Sequence, residues 1–525
     1  MARKLYPIGI QGFEKLRESG FFYVDKTRYV YQLAQSHGVY FLSRPRRFGK
    51  SLLISTLEAY FQGKRELFAG LAIEQMESEW VEYPVLHIDF NAKNYQNAES
   101  LYDIINRHLE KYEALYGDEK KNEAVEERFV HLIETAHKKT GRQTVVLVDE
   151  YDKPLLSAID NPGLQQQYRD ILKAFYGVLK TMDNHIRFVL LTGVTKFSHV
   201  SIFSDLNNLK DISMNARYAG ICGISEQELF DNFQEDIEAM ATENGVSAEE
   251  MAARLKEMYD GYHFSKNSPG IYNPFSLLNA FSKKDIGSYW FSTGTPSFLV
   301  KLMKKADYDL QNLDREKVRA SVINMIDPVA YDPVPVLYQS GYLTIKGYDP
   351  RFNKYVLGIP NREVEEGLVD YLLPCYANNG TKSTSDVVER LVRKAEEGEP
   401  DEMMRCFQAL LADLPGDNFQ ETSERGIALM ELNFRNLMFL VSKFAGLYVR
   451  SEYRTATGRI DMVIQTDDFT YLMEFKLNDS AEAALAQINA KDYLLPFAAD
   501  NRRLFKIGVE FSHKKRNIDR WIVEE

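Results

Sequence analysis

The sequence predicts an α/β protein with a parallel sheet covered by helices on both faces near its start, a helical middle region and a closing αβββαβ unit. Three observations lead there. Between residues 39 and 193, short β-rich apolar runs alternate with stretches whose apolar residues recur at three and four. After Gly193 helical spacing takes over, and beyond residue 424 one long amphipathic stretch is followed by three strand-like runs, a helix and a last strand. These shifts predict domains at 1–220, 221–395 and 396–525.

Each element has its own reason. "VYFLS" (39–43), "PVLHIDF" (84–90), "TVVLVDE" (144–150) and "IRFVLLTG" (186–193) are continuous apolar runs of strand length, as strands buried on both faces require. "KSLLISTLEAYF" and "LYDIINRHLEKYEALY" between them carry helical spacing, and in the first Leu52, Leu53, Leu57 and Phe61 can face the sheet. In the middle region "ISEQELFDNFQEDIEAMA" and "SAEEMAARLKEMYDGYHF" read as helices. "GYLTIKGYDPRFNKYVLGIP" reads as two strands about an Asp349-Pro350 turn, a helix-then-hairpin order compatible with a winged helix. The acidic "KAEEGEPDE" (394–402) is the candidate connection to the last domain. There the helix from Glu424 to Phe444 aligns Ile427, Met430, Phe434, Leu437, Val441 and Phe444 on one stripe.

Composition limits the functions available. The 525 residues, 45% hydrophobic and 27% charged, suffice for more than one core. No apolar run is long enough for a membrane helix, and the first twenty residues lack a signal-peptide pattern. Cys222, Cys375 and Cys406 are odd in number and far apart, which fits a reducing compartment better than disulfides or zinc, so the expectation is a cytoplasmic protein. A net charge of -12 excludes coating nucleic acid by bulk electrostatics and leaves only local basic surface for that purpose.

"FLSRPRRFGKSLL" (41–53) resembles a phosphate-binding loop. The pattern asks for glycine, four residues, then Gly-Lys-Ser/Thr; here these are Arg44, Pro45 to Phe48, Gly49, Lys50 and Ser51, so only the first position departs. Backbone N–H groups along Arg46, Arg47, Phe48, Gly49, Lys50, Ser51 and Leu52, the Lys50 ammonium, and Mg²⁺ on the Ser51 hydroxyl would hold phosphates. The first glycine mainly eases the exit from the strand. "VVLVDEYD" supplies the complement: Asp149 to hold Mg²⁺ through water, Glu150 to orient an attacking water.

"YVDKT" (23–27), "RPRRFGKSL" (44–52), "DEYDKPL" (149–155), "GVTKFSHVSIFSDLNNLKDIS" (193–213) and "YNPFSLLNA" (272–280) together resemble the bacterial AAA-ATPase-like family whose members carry a C-terminal PD-(D/E)XK nuclease-superfamily domain. The resemblance spans most of the chain and implies a P-loop fold with ATP as ligand. It also implies that arginine at the first loop position is normal and that Thr192 reads the γ-phosphate. It leaves the arginine finger open among Arg46, Arg47 and Arg217, and leaves a homo-oligomer open.

In the last domain, "GRIDMVIQTDDFTYLMEFKL" puts Asp461 on one strand and Glu474 and Lys476 on one face of the next. The αβββαβ order matches the nuclease-superfamily core with this motif on its second and third strands. Asp461, Glu474 and the Phe475 carbonyl are a hard-cation ligand set for Mg²⁺ or Mn²⁺, and Lys476 would orient water or offset developing charge. By resemblance Glu431 is the upstream acid, and Gln487 with Tyr493 is the accessory motif of some nucleases. Gln487 and Lys491 share a helix face.

From Asp500 to Arg520 seven cations face three carboxylates, an excess of four. Among them Lys514, Lys515 and Arg516 are candidate nucleic-acid contacts. The function expected is an ATPase whose nucleotide state controls a metal-dependent nuclease on DNA or RNA. The alternative is a nucleotide-dependent switch whose nuclease-like domain binds nucleic acid or protein without cutting.

Overall fold

The computed structural model describes residues 5–196, 203, 206, 208–291, 297–323, 332–376, 381–412, 424–444, 448–454, 459–477, 479–491, 493, 497, 500–512, 514–515 and 517–525. It forms two compact units, one of residues 1–302 with 315–364, the other of residues 303–314 with 365–525. Residues 221–302 and 315–364 belong to the first of these units and 365–395 to the second.

The first unit is built on five strands, β1 (Gly38–Ser43), β2 (Val85–Asp89), β3 (Thr144–Asp149), β4 (Ile186–Gly193) and β5 (Leu209–Asp211), all parallel in the order β2-β3-β4-β1-β5. All four apolar runs expected as strands are strands. β5, three residues long and carrying Lys210 and Asp211, is too short and polar to stand out. Helices α1 (Lys50–Phe61), α2 (Ala98–Tyr116), α3 (Val125–Thr140) and α4 (Pro162–Thr181) connect and cover the strands. β3 is buried at every residue, the pattern of a strand packed on both faces. α4 starts sharply because the Asn161 side chain accepts from the Leu164 N–H and Pro162 occupies the first turn.

Three more helices, α5 (Glu226–Asn244), α6 (Ala248–Tyr259) and α7 (Pro274–Lys283), close around a core of Leu229, Phe233, Ile237, Met251, Leu255 and Phe281. Strand β6 (Glu316–Arg319), helix α8 (Val334–Ser340) and the hairpin β7 (Thr344–Asp349) and β8 (Lys354–Gly358) follow, with sheet order β6-β8-β7. The expected hairpin is therefore present, and this arrangement is winged-helix-like. α8 buries Val334, Val336, Leu337 and Gln339, so it serves as a core element.

In the second unit α9 (Thr381–Glu396) and α10 (Pro400–Leu411) precede α11 (Glu424–Phe444), β9 (Tyr448–Arg454), β10 (Arg459–Gln465), β11 (Phe469–Leu477), α12 (Ala481–Ala490), β12 (Arg503–Ser512) and β13 (Asn517–Glu524). The five strands order β9-β10-β11-β12-β13, with β11 and β12 parallel and the other pairs antiparallel. The expected αβββαβ order is present with β13 added. Phe434, Leu437 and Val441 of the α11 stripe are buried; the side chains of Ile427, Met430 and Phe444 lie outside the described residues. The acidic 394–402 segment covers the end of α9, a three-residue turn and the start of α10. Gly398 in that turn has φ +72, and a Cβ there would meet the Phe469 ring at 2.4 Å, so both its conformation and its surroundings call for glycine.

Gly508 on β12 lets α12 lie against the sheet, since a Cβ would fall 2.3 Å from the Ala481 carbonyl oxygen and 2.7 Å from the Leu485 nitrogen. Both obstacles are backbone. Gly508→Ala should therefore displace α12 and destabilise the second unit by about 1–3 kcal/mol, read as a lower unfolding midpoint in urea; an unchanged midpoint would refute this packing.

Candidate functional site

The phosphate loop joins β1 to α1. Gly49, at the N-cap of α1, has φ 94, and Arg47 also lies in the left-handed region at φ 65. This bends the loop so that the first turn of α1, including half-buried Ser51 and Leu52, opens at the strand ends. Lys50 is buried with its ammonium donating to the carbonyls of Arg44 (3.1 Å) and Pro45 (3.2 Å), and lies 3.6 Å from Glu150 Oε1. These are the partners that an anionic phosphate would replace.

Because β4 lies between β1 and β3, Thr192 stands opposite Leu42 and next to the acidic pair. Its hydroxyl donates to Asp149 Oδ1 at 2.6 Å. Glu150 follows at φ 55, a left-handed turn that ends β3. The structure thus brings Gly49, Lys50, Asp149, Glu150 and Thr192 to the carboxyl ends of adjacent parallel strands, where open α/β sheets bind ligands.

Sequence reasoning missed Asp152. Fully buried, it accepts from the N–H groups of Val194 (3.1 Å) and Thr195 (2.6 Å) and from the Thr195 hydroxyl, fixing the chain beyond Thr192. Burial and the Glu150 charge raise its pKa. The repeated acids of "DEYD" were the available signal.

The arginines separate clearly. Arg44 is 1% exposed; its guanidinium donates to the carbonyls of Ser43 (2.8 Å), Ser213 (2.8 Å) and Tyr218 (3.0 Å) and stacks 4.0 Å from the Phe264 ring centroid. It is an internal clamp. Arg47 is exposed over the Phe275 ring, and the Arg46 carbonyl accepts from the Trp290 indole at 3.0 Å. Arg217 is exposed over the Tyr218 ring and bonds Gln32 at 3.3 Å. Phe48 is buried edge-on against Tyr262 (4.8 Å) and Phe264 (5.6 Å), so it anchors the loop. The "YVDKT" motif is also an anchor: Lys26 pairs with Glu228 at 2.6 Å and Asp25 accepts from the Ala72 N–H at 2.7 Å.

In the second unit the β10–β11 ladder ends at Met462 opposite Met473. One residue further the strands part, and the Phe475 N–H donates to Asp461 Oδ2 at 2.9 Å. Glu474 and Lys476 share a face as the alternation requires, 3.7 Å apart. Gln487 of α12 donates its amide N–H to Glu474 Oε1 and accepts from Lys476 at 2.7 Å. Burial, with the Asp461 charge beside it, pushes the Glu474 carboxyl up to about 7, and its Oε2 is buried without a hydrogen-bond partner. An orphaned carboxylate oxygen beside a second carboxylate is the donor set that a hard divalent cation fits.

Among the described residues no three carboxylate, imidazole or thiolate side chains converge on one point, so half-buried Glu431 on α11 is not drawn into a group with Asp461 and Glu474. Tyr493 belongs to the core with Ile460, Val463, Leu472 and Ile488, its ring given to the protein and not to solvent, while Lys491 is exposed 5.9 Å from that ring. The basic tract is largely self-paired: Arg502 with Asp500, Arg503 with Glu525, Lys506 with Glu524, Lys515 with Asp519, Arg520 with Glu482. Counting charge only to Arg520 left out three of those partners. Lys514 is exposed; Arg516 lies outside the described residues.

A phosphate loop opposite an acid pair in one unit, and a forked Asp/Glu-x-Lys sheet in the other, define an AAA-like P-loop nucleotide-binding domain and a PD-(D/E)XK core in one chain. Residues 7–203 match the family described as "Predicted AAA-ATPase", and residues 429–521 the PD-(D/E)XK nuclease superfamily. Over 538 residues the chain is 36% identical to the "Uncharacterized protein in vnfD 5'region" of Azotobacter chroococcum mcd 1, covering 100% of this chain and 99% of that one. The chain belongs to the family of AAA-ATPase-like proteins with a C-terminal PD-(D/E)XK nuclease-superfamily domain. It is also similar to the Aeropyrum pernix ORC2 protein in its ADPNP–ADP complexes, at 12% identity over 64% of this chain and 87% of that one; the TM-score of 0.18 is too low to bear on the fold. No helix among the described residues is long and apolar enough to cross a membrane.

Two outcomes follow. Arg44→Gly, which restores the general loop pattern, should lower stability by about 2–4 kcal/mol because three carbonyls lose a charged donor in a buried site. A urea midpoint at or above wild type would refute the clamp. Burial and the Asp461 charge raise the Glu474 carboxyl in the metal-free fold, so its contribution is present below the ordinary Glu range and lost as pH rises through about 7. The stability gain of Glu474→Gln over wild type in chelator should grow across that window to on the order of 3 kcal/mol; calorimetry showing a flat difference would refute it.

Proposed function

We propose that this chain binds and hydrolyses ATP at the β1–β3 strand ends and cleaves phosphodiester bonds of DNA or RNA at the β10–β11 fork, with nucleotide state regulating cleavage. The observation that carries the reading is the Glu474–Gln487–Lys476 network beside Asp461, with Glu474 Oε2 left without a partner in a buried site. Burying carboxylates this way costs stability, and a cation would repay it.

At the fork, Asp461, Glu474 and the Phe475 carbonyl would hold Mg²⁺ or Mn²⁺. Such a cation supplies polarisation of the scissile phosphate and a lowered pKa for bound water. Gln487 holds the Lys476 ammonium and the Glu474 carboxylate in fixed relation, so that Lys476 faces the reacting group as a positive donor able to orient water or offset charge on the phosphate oxygens. Asp461 is tied to the Phe475 N–H through its Oδ2 and so stays beside Glu474.

At the nucleotide site the N–H groups of Gly49 to Leu52 and the Lys50 ammonium would receive phosphate oxygens, and Ser51 with Asp149 would hold Mg²⁺. Glu150 orients the attacking water, and Thr192, already bonded to Asp149, is the group that registers the γ-phosphate.

The test incubates purified protein with Mg²⁺ or Mn²⁺ and labelled single- and double-stranded DNA and RNA, with and without ATP. Cleavage should fall about 10²- to 10³-fold in Asp461→Ala and Lys476→Ala, and ATP turnover should fall similarly in Glu150→Gln with binding retained. Cleavage unchanged in the first two variants would remove the nuclease assignment, and unchanged turnover in the third would remove the role of Glu150.

A further inference from the structure

We infer that the outer face of the β6-β8-β7 sheet, with its hairpin tip, is the surface by which this chain grips a nucleic-acid backbone. The inference starts from the distribution of partnered charge. In the C-terminal basic tract, five cations are paired with carboxylates. On the small sheet of the first unit the reverse holds. Lys317, Arg319, Arg351 and Lys354 have, among the described residues, no carboxylate partner, although the chain as a whole carries a net charge of -12.

Register places these charges together. Lys354 of β8 is directly opposite Arg319 of β6, and Val356 is opposite Lys317. Strand alternation then puts Lys317, Arg319 and Lys354 on one face, while Val318, buried, points to the other. Like charges directly opposite across a ladder destabilise a sheet. The remaining cross-strand neighbour of Lys354 is Asp349, whose Oδ1 is engaged in the turn, accepting from the N–H groups of Arg351 (3.0 Å) and Phe352 (3.4 Å). A fold that places cations against one another in an acidic protein gains from a polyanion laid along that face.

The tip supplies the second element. Phe352 is 58% exposed, an unusual position for a large apolar ring, and Arg351 lies 5.1 Å from its centroid. An aromatic ring edged by arginine at the end of a cationic strip is a stacking platform for an unpaired base beside phosphate contacts. Helix α8 is buried and cannot enter a groove, so the contact expected is to backbone and splayed bases and carries little sequence preference.

This inference rests on the proposed action upon a polynucleotide, but binding and cutting are measured separately. The full chain, in chelator, is titrated onto fluorescent single-stranded DNA, duplex DNA and RNA of equal length, following anisotropy across a salt series. The triple change Lys317→Gln, Arg319→Gln, Lys354→Gln should weaken binding on the order of 10- to 100-fold and reduce the salt slope by about 2–3. Phe352→Ala should weaken the single-stranded probes by about 5-fold or more and leave the duplex nearly unchanged. Lys514→Gln with Lys515→Gln should change little. Relief of like-charge repulsion keeps the triple variant's melting temperature at or above wild type, so its weakened binding is not unfolding.

Wild type that binds none of the probes, a triple variant with unchanged affinity and slope, or a polyglutamate peptide held as tightly as the nucleic acids would each overturn the inference. Cleavage by wild type alongside undiminished binding by the triple variant would overturn it while leaving the nuclease reading intact. Binding lost in the triple variant without any cleavage by wild type would do the converse.

Discussion

The nucleotide site depends on a buried guanidinium. Arg44 occupies the place where a phosphate loop ordinarily has a flexible glycine, and it ties the exit of β1 to the carbonyls of Ser213 and Tyr218 while lying on the Phe264 ring. Charge in such a site survives because the two terminal nitrogens donate to three carbonyls and the plane lies on an aromatic face, in place of water. The consequence is a loop held from behind. Phe48 is inserted between Tyr262 and Phe264, and Lys50 meets the carbonyls that Arg44 and Pro45 present. Preorganisation of this kind lowers the ordering cost that a phosphate would otherwise meet on binding.

The fork in the second unit works by the opposite device. There the charge is deliberately left short of partners: two strands part after Met462 and Met473, one N–H is taken by Asp461, and a single amide, Gln487, must serve both Glu474 and Lys476. The raised Glu474 carboxyl is the physical expression of that shortage. Sites that perturb a carboxylate by burial and a like charge are where function is concentrated.

Most of this architecture was legible because it obeys local rules. Continuous apolar runs of strand length marked the parallel sheet, and period-two alternation placed Glu474 and Lys476 on one face before any coordinates did. What stayed hidden depends on tertiary placement. β13 stayed hidden because "NIDRWIVEE" keeps no period-two alternation, Arg520 sharing the parity of Ile518 and Ile522, and its pairing with β12 is irregular at Asp519. The partners of the basic tract come from Glu482, Glu524 and Glu525, which a window ending at Arg520 omits. Arg44 read as a departure from a phosphate motif, because nothing in "FLSRPRRFGKSLL" indicates that Ser213, Tyr218 and Phe264 will surround it. Tyr493, paired with Gln487 by resemblance to an accessory motif, has its ring in the core with Ile460, Leu472 and Ile488, a burial that a polar helix flank does not suggest.

The winged-helix-like part is bound to the phosphate loop by contacts that tolerate little independent motion. Gly341, at φ 90 just after α8, leaves room for Pro45, which a Cβ would meet at 2.8 Å. Gln339 of α8 accepts from the Lys196 N–H at 2.6 Å, just beyond the Thr195 that Asp152 holds. Trp290 bonds the Arg46 carbonyl. A displacement of residues 45–48 must therefore break the indole bond, extract Phe48 from its aromatic pocket or carry α8 along. Close-packed interiors deform as discrete rearrangements and not continuously, and α8 runs directly into the hairpin that carries Phe352 at its tip and Lys354 on its outer face. The same packing that fixes the loop thus ties it, through α8, to the base of the basic hairpin.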